Sequence, residues 1–134
     1  MVRRGLNSLD WYARRVGFAR VDGVLRYGGD EEPSDVGALV EAFVEAYVVT
    51  RARHYARLAG RTFGWFVGAN RFAAWLYDPD TGGCRDGVGM TSVSPNQGAT
   101  ATLAYHQAVL ALVEAGLATL PVAAPAVREL AAVP

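Results

Sequence analysis

Apolar side chains recur every three or four residues along much of this chain, which is the period of one face of an α-helix. The clearest run covers residues 36–58 and predicts one helix of about six turns, capped by Ser34 or Asp35. Shorter apolar runs predict helices at residues 7–18, 61–70 and 97–115, and Pro125 suits the first turn of a short last helix at 125–132. The pattern therefore indicates an all-α fold of four or five helices in a single domain, residues 1–134.

Two of these helices carry a prediction about their faces. In the helix at 7–18, Leu9, Tyr12 and Val16 share one side behind a cap at Asn7 or Ser8. In the helix at 97–115, which begins next to Asn96, we expect one side to face the core. That side consists of Leu103, His106, Leu110 and Val113.

Residues 76–95 interrupt the helical pattern with glycines, aspartates and prolines, which are turn-forming residues. A connection of about twenty residues without regular structure is long for a compact domain, and such loops are usually functional or disordered. Trp75 and Tyr77 at its start argue against disorder. We expect a long Gly/Asp-rich loop or short hairpin at about 77–95, and a short extended piece at 24–27.

Charge and cysteine content narrow the classes of function. Thirteen basic and thirteen acidic residues cancel, so no global field attracts nucleic acid or an anionic membrane, although arginines cluster at residues 3–4, 14–15 and 51–61. No apolar run reaches the 18 residues or so that a membrane span needs. Cys84 is the single cysteine, and no Cys/His cluster has zinc spacing. We expect a soluble cytoplasmic protein without metal, cofactor, nucleic acid or membrane.

The loop and its surroundings hold most of the candidate chemistry. Sugar binding needs planar side chains that stack on pyranose rings, with carboxylates and amides that bond the hydroxyls. Residues of both kinds are present, namely Trp65, Trp75, Tyr77, Asp78, Asp80, Arg85, Asp86, Asn96 and Gln97. The structural alternative is that the acids cap turns, Asn96 caps the last long helix, and the tryptophans belong to the core.

Three motifs in this region resemble one known family. Residues 65–70 (WFVGAN), 77–87 (YDPDTGGCRDG) and 96–99 (NQGA) resemble the C-terminal hairpins of bacterial α/α-toroid proteins, the six-hairpin glycosidase-like family. These proteins are often encoded beside glycosyltransferases or fused to them. Residues 30–33 (DEEP) are similar to that family's Asp-Gln-Gln-Pro segment, with Asp35 where a Glu is usual. The resemblance covers about residues 25–112 and implies carbohydrate chemistry.

The chain also departs from the family pattern. Glu31 and Glu32 replace the two glutamines, and Thr100 replaces the Glu that usually follows the NQGA motif. The chain has room for two or three of the six hairpins of a toroid. We therefore expect a non-catalytic remnant that binds a carbohydrate or assembles with another chain. The alternative is an active glycoside hydrolase-like enzyme that uses paired carboxylates.

The resemblance and the loop together give the expected site. Its acids would be Asp86 with Asp35 or Glu32. The residues expected to contact the sugar are Trp65, Trp75, Tyr77, Asp78, Arg85, Asn96 and Gln97. Because a partial toroid leaves apolar helix sides uncovered, we also expect a homo-oligomer, most simply a two-fold dimer, or a partner chain that completes the toroid.

Overall fold

A computed structural model describes residues 30–119 and the backbone of residues 19–21 and 24–26. The described part is mainly helical, as the apolar period predicted. Its elements are β1 (Ala19–Val21), β2 (Val24–Arg26), α1 (Pro33–Thr50), α2 (Arg53–Phe63), a 3-10 turn (Gly64–Phe66) and α3 (Ala99–Glu114). The two short strands pair antiparallel, with Arg20 opposite Leu25, so the extended piece expected at 24–27 is confirmed for β2. The helices predicted at 7–18 and 125–132 lie outside the described residues.

The helix predicted as continuous over 36–58 is two helices, and the chain turns between them. Arg51 adopts a left-handed φ of 57°, and its N–H donates to the Tyr47 carbonyl at 2.7 Å. The Thr50 hydroxyl donates to the Ala46 carbonyl and accepts from the Ala52 N–H. The period did not reveal this break because apolar positions continue on both sides of it, and neither Gly nor Pro marks it. α1 and α2 therefore form a hairpin, joined by two residues.

The start of α1 also differs from the prediction. Glu32 is the N-cap residue, and neither Ser34 nor Asp35 caps the helix with its side chain. Pro33 takes the first helical position, where its missing N–H costs nothing. Asp35 lies in the first turn, where a negative charge suits the helix dipole.

The helix predicted over 61–70 is wrong. Residues 61–63 end α2, residues 64–66 form the 3-10 turn, and residues 67–70 are not helical. The Asn70 side chain donates to the carbonyls of Trp65 and Ala74, and its oxygen accepts from two backbone N–H groups. An Asn side chain that satisfies this many backbone groups competes with helix formation, and Gly68 with its φ of +113° adds a turn.

α3 packs its alanine-rich side against α1, which overturns the predicted face. Its buried residues are Ala101, Ala104, Tyr105, Ala108 and Leu112. Leu103 and Leu110 are 60% and 52% exposed, and His106 is also exposed. Small residues are buried here because α1 approaches α3 closely at Ala104. A Cβ on Gly37 would lie 3.1 Å from the Ala104 carbonyl oxygen. Hydrophobicity alone ranks leucine above alanine and so selected the wrong side.

The segment between the 3-10 turn and α3 follows the expected loop. It contains isolated antiparallel bridges and no helix; the bridges pair Val67 with Trp75, Tyr77 with Cys84, Val88 with Val93, and Val88 with Glu31. Leu76, Cys84 and Val88 are buried and join the core of α1, α2 and α3. The loop is thus part of the packed structure, and it ends beside the starts of α1 and α3.

Two helical glycines differ in the space around them, and they give a matched pair of variants. Gly60 lies inside α2 with nothing within 4 Å of its missing Cβ, whereas Gly37 faces α3. We expect Gly60→Ala to stabilise the protein by about 0.5–1 kcal/mol, because alanine restricts the unfolded chain and favours the helix. Gly37→Ala should destabilise it by about 1–3 kcal/mol, because the facing backbone cannot yield cheaply. Urea unfolding of both variants measures the difference, and equal stabilisation would contradict the close packing of α1 on α3.

Candidate functional site

A cleft opens where the start of α1, the loop and the start of α3 meet. Its volume is about 310 Å³, and we call it the carboxylate cleft; it is lined by Glu32, Pro33, Ser34, Asp86, Gly98, Ala99, Thr100 and Ala101. A neighbouring cleft of about 290 Å³ shares Glu32 and Asp86 with it; the other lining residues are Asp30, Glu31, Gly87, Val88, Gly89, Ser92 and Ser94. The two acids therefore line both clefts. The segment before α1, the loop and the start of α3 thus converge around these two acids.

Asp86 is held by backbone groups on both sides. Its Oδ1 accepts a hydrogen bond from the Gly98 N–H at 2.6 Å, and its own N–H donates to the Asn96 carbonyl at 2.9 Å. A Cβ at Gly98 would lie 2.5 Å from Oδ1, so the motif requires glycine there. Asp86 therefore orders the start of α3 from the loop, and its Oδ2 has no hydrogen bond to a described residue.

Glu32 is placed by its buried neighbour Glu31. The Glu31 backbone exchanges two hydrogen bonds with Val88, at 2.8 and 2.9 Å, and a Cβ on Gly87 would lie 2.7 Å from the Glu31 carbonyl oxygen. The Glu31 side chain, 3% exposed, accepts from the Trp65 Nε1–H at 2.7 Å and pairs with Arg71 at 3.5 Å. The segment before α1 is therefore fixed against the loop, and Glu32 is left exposed at the cleft.

The start of α3 adds hydrogen-bond donors to this cleft. Gly98 is the N-cap residue and has no side chain that could cap the helix. The backbone N–H groups of Ala99, Thr100 and Ala101 have no acceptor among the described residues. A helix start with free N–H groups favours an electron-rich oxygen, so acceptors and donors face the same space.

Other predicted residues bind one another instead of lining the cleft. Asp78 accepts from the Gln97 Nε2–H at 3.0 Å and from the Asp80 N–H at 2.9 Å. Thr81 donates its hydroxyl hydrogen to the Gln97 side-chain oxygen at 2.7 Å. The hydrogen bonds that Asp78 accepts, that from Gln97 above all, lower its pKa below the ordinary aspartate value of 3.8. Asp78 and Gln97 thus tie the tip of the loop to the residues before α3.

The aromatic residues are distributed differently from the expectation. Trp65 is 2% exposed, so it offers no face for stacking on a sugar. Its indole N–H donates a hydrogen bond to the Glu31 carboxylate instead. Tyr77 stacks on Tyr105 with ring centroids 4.2 Å apart. Trp75 is 59% exposed, yet it lines neither cleft. The carboxylate cleft therefore has no aromatic wall.

The remaining predicted residues lie outside both clefts. Asp35 is exposed in the first turn of α1 and lines neither of them. Arg85 and Asn96 are likewise absent from the two linings, and Asn96 contributes through its carbonyl to Asp86. Of the expected acids, the structure brings Glu32 and Asp86 together.

Sequence reasoning missed Glu31 and Ser34 as parts of this region, and it counted Thr100 only as a loss. Thr100 lines the carboxylate cleft in the place where the resemblance implies a Glu. No local signal in the DEEP segment distinguishes the buried Glu31 from the exposed Glu32, because acidic residues are favourable beside a helix start in either case.

Cys84 is buried, and burial followed by the negative charge of Asp86 raises its pKa to about 12. It is therefore a protonated thiol at neutral pH and no nucleophile. Among residues 30–119 no group of three or more His, Cys, Asp or Glu side chains is placed to hold a metal ion. In the same range, no helix is both long and apolar enough to cross a bilayer.

Comparison with known proteins adds no family assignment. No protein-family model matches the chain, and no curated protein matches it.

The lowered pKa of Asp78 predicts an acid-sensitive loop. A carboxyl whose folded pKa is depressed stabilises the fold above its unfolded pKa, near 3.8, and this contribution is lost as the pH falls through the folded value. We expect the melting temperature to fall below about pH 4. The fall should be smaller in Asp78→Asn than in the parent or in the control Asp80→Asn, since Asp80 uses only its backbone N–H in this network. Identical pH profiles of the melting temperature for all three proteins would contradict this role of Asp78.

Proposed function

We propose that this protein is a carbohydrate-binding protein, a non-catalytic remnant of an α/α-toroid glycosidase-like ancestor. The observation that carries the proposal is the position of Glu32 and Asp86 in one cleft beside the free N–H groups of the α3 start. The two acids are far apart in sequence, and the motifs that resemble the toroid family are the segments that bring them together.

The mixture of acceptors and donors favours a neutral polyol over an ion. Two carboxylates repel an anion, and free N–H groups gain nothing from a cation. A sugar hydroxyl can donate to a carboxylate while it accepts from an N–H, and adjacent hydroxyls repeat this pairing along a ring. The two clefts that these acids line, of about 310 and 290 Å³, each match the lower end of small-ligand sites.

Binding fits this cleft better than hydrolysis does. Glycoside cleavage requires two carboxyl groups, one of which transfers a proton to the leaving oxygen. One oxygen of Asp86 is already committed to the Gly98 N–H, and Thr100 stands where the resembled family has a Glu. The cleft keeps groups that recognise hydroxyls, and it lacks the Glu that the resemblance implies at position 100.

The proposal is tested by screening the purified protein on a glycan array and then titrating the best sugar by calorimetry. Asp86→Asn should keep the fold, because the amide oxygen still accepts from Gly98, while binding weakens by roughly 10-fold to 100-fold through loss of a charge-assisted hydrogen bond. The matched control is Asp80→Asn, another exposed aspartate of the same loop that lines neither cleft. Equal affinity for both variants and the parent, or no sugar bound at all, would sink the proposal.

The enzymatic alternative retains one specific support, the pairing of Glu32 with Asp86 in a single cleft. If these acids act as a catalytic pair, the parent should release reducing ends from an oligosaccharide mixture. Glu32→Gln and Asp86→Asn should then each lower the rate by at least about 100-fold, as expected when a general acid or base is removed. Asp35→Asn should leave the rate unchanged, since Asp35 lines neither cleft. Binding without product release favours the remnant.

A further inference from the structure

Three clefts of similar size share lining residues in a definite order. The carboxylate cleft, of about 310 Å³, shares Glu32 and Asp86 with the cleft of about 290 Å³, which we call the loop cleft. It shares Ser34 and Thr100 with a further cleft of about 300 Å³, which we call the helix cleft. The loop cleft and the helix cleft have no lining residue in common. The carboxylate cleft is therefore the middle one of the three.

The helix cleft follows the groove between α1 and α3. On α1 its lining begins at Ser34 and ends at Glu41, and on α3 it begins at Thr100 and ends at Gln107. On each helix the first and last of these residues are seven positions apart, which is about 10 Å at a rise of about 1.5 Å per residue. The helix cleft thus extends from the two helix starts over a distance longer than one sugar ring.

The helix cleft offers both kinds of contact that a sugar ring makes. Glu41 and Gln107 are exposed and supply a carboxylate and an amide. Leu103 is 60% exposed and lines the same cleft from α3, and the exposed Ala38 lines it from α1. Hydroxyl groups bond to the carboxylate and the amide, while the C–H groups on a ring face pack against aliphatic side chains. A ring bound here also covers a leucine that the packing of the helices leaves exposed.

We propose that the ligand of this protein is an oligosaccharide of at least three rings that occupies all three clefts. The inference rests on the proposed carbohydrate binding and specifies the length of the ligand and its path. The middle ring contacts Asp86 and the N–H groups at the start of α3. One flanking ring reaches the hydroxyls of Ser92 and Ser94 in the loop cleft, and the other reaches Glu41 and Leu103 in the helix cleft.

A longer ligand compensates for the small size of each cleft. Each one alone matches only the lower end of small-ligand sites. Once one ring is bound, the rings linked to it are held at high effective concentration beside the neighbouring clefts. Their contacts are then added without a second loss of translational freedom. Affinity should therefore rise from one ring to three and change little beyond that length.

An apolar protein segment is a poorer occupant of these clefts than an oligosaccharide. It would cover the carboxylates of Glu32, Asp86 and Glu41 without supplying hydrogen-bond donors, and an uncompensated buried charge is costly. A sugar chain carries donors along its whole length, so it can satisfy each carboxylate as it covers it.

Calorimetric titration with oligosaccharides of increasing length tests the proposal. The probes are the malto-, cello- and chitooligosaccharide series, from one ring to six. We expect the trisaccharide of the preferred series to bind the parent at least roughly 10-fold more tightly than its monosaccharide, which corresponds to one or two added hydrogen bonds. The hexasaccharide should bind about as tightly as the trisaccharide.

Two matched pairs of variants locate the ring in the helix cleft. Leu103→Ala and Glu41→Gln alter its lining, whereas Leu110→Ala and Glu45→Gln change exposed residues of the same helices that line none of the three clefts. The first two should weaken trisaccharide binding severalfold and leave monosaccharide binding unchanged, because a single ring binds in the carboxylate cleft. The two controls should change neither affinity.

A third pair locates the ring in the loop cleft. Ser92 and Thr91 are both exposed, and of the two only Ser92 lines the cleft. Ser92→Ala should weaken trisaccharide binding severalfold and spare monosaccharide binding, while Thr91→Ala should affect neither.

The outcomes separate this inference from the proposed function. An affinity that does not rise with ring number, or equal effects of cleft and control variants, would overturn the inference and leave sugar binding in place. A dimer in light scattering that Leu103→Ala dissociates would also overturn it, because the helix cleft would then be an interface between copies. Absence of binding by all three series would overturn it as well, and the proposed function fails with it only if the glycan array is also blank.

Discussion

The buried carboxylate of Glu31 is the interaction on which the described structure most depends. Removing a charge from water costs several kcal/mol unless polar partners surround it. Here Trp65 at the end of the hairpin and Arg71 in the following loop supply such partners. Arg71 also donates to the Gly89 carbonyl, and the Glu31 backbone pairs with Val88. The charge can stay buried only while three segments distant in sequence remain together, so it fixes the position of the cleft.

Prediction from sequence succeeded where a single local signal decided the structure. The apolar period identified the helical regions, and the density of turn residues identified the irregular loop. It failed where tertiary contacts decide between local options. At Arg51 the chain turns without Gly or Pro, and at Ala104 the close approach of α1 to α3 leaves room only for a small inward-facing residue. Periodicity reports which positions are apolar, and it does not report how near the neighbouring helix will come.

In the candidate site too, local motifs could be read from the sequence, whereas tertiary contacts could not. Asp86 was chosen from its motif, and the structure places it with Glu32 because the residues between them fold back through the bridge of Glu31 to Val88. Trp65 could not be told from a stacking residue by sequence, since an indole that fills a core and an indole that faces a ligand have the same local signature. Its burial follows from the partner it has across the chain, Glu31, which no local pattern reveals.

The carboxylate cleft also has a purely structural role, and this role shapes how a ligand can use it. Negative side chains beside two helix starts stabilise those helices without any ligand, by about 0.3–1 kcal/mol each. Asp86 Oδ1 performs this task for α3 by accepting from Gly98. A sugar that displaced it would have to replace that bond, which brings little net gain. A hydroxyl that instead takes Oδ2 and the free N–H groups of Ala99 and Thr100 adds interactions without removing any. The geometry therefore favours a ligand that binds over the start of α3 and leaves the bond between Asp86 and Gly98 intact.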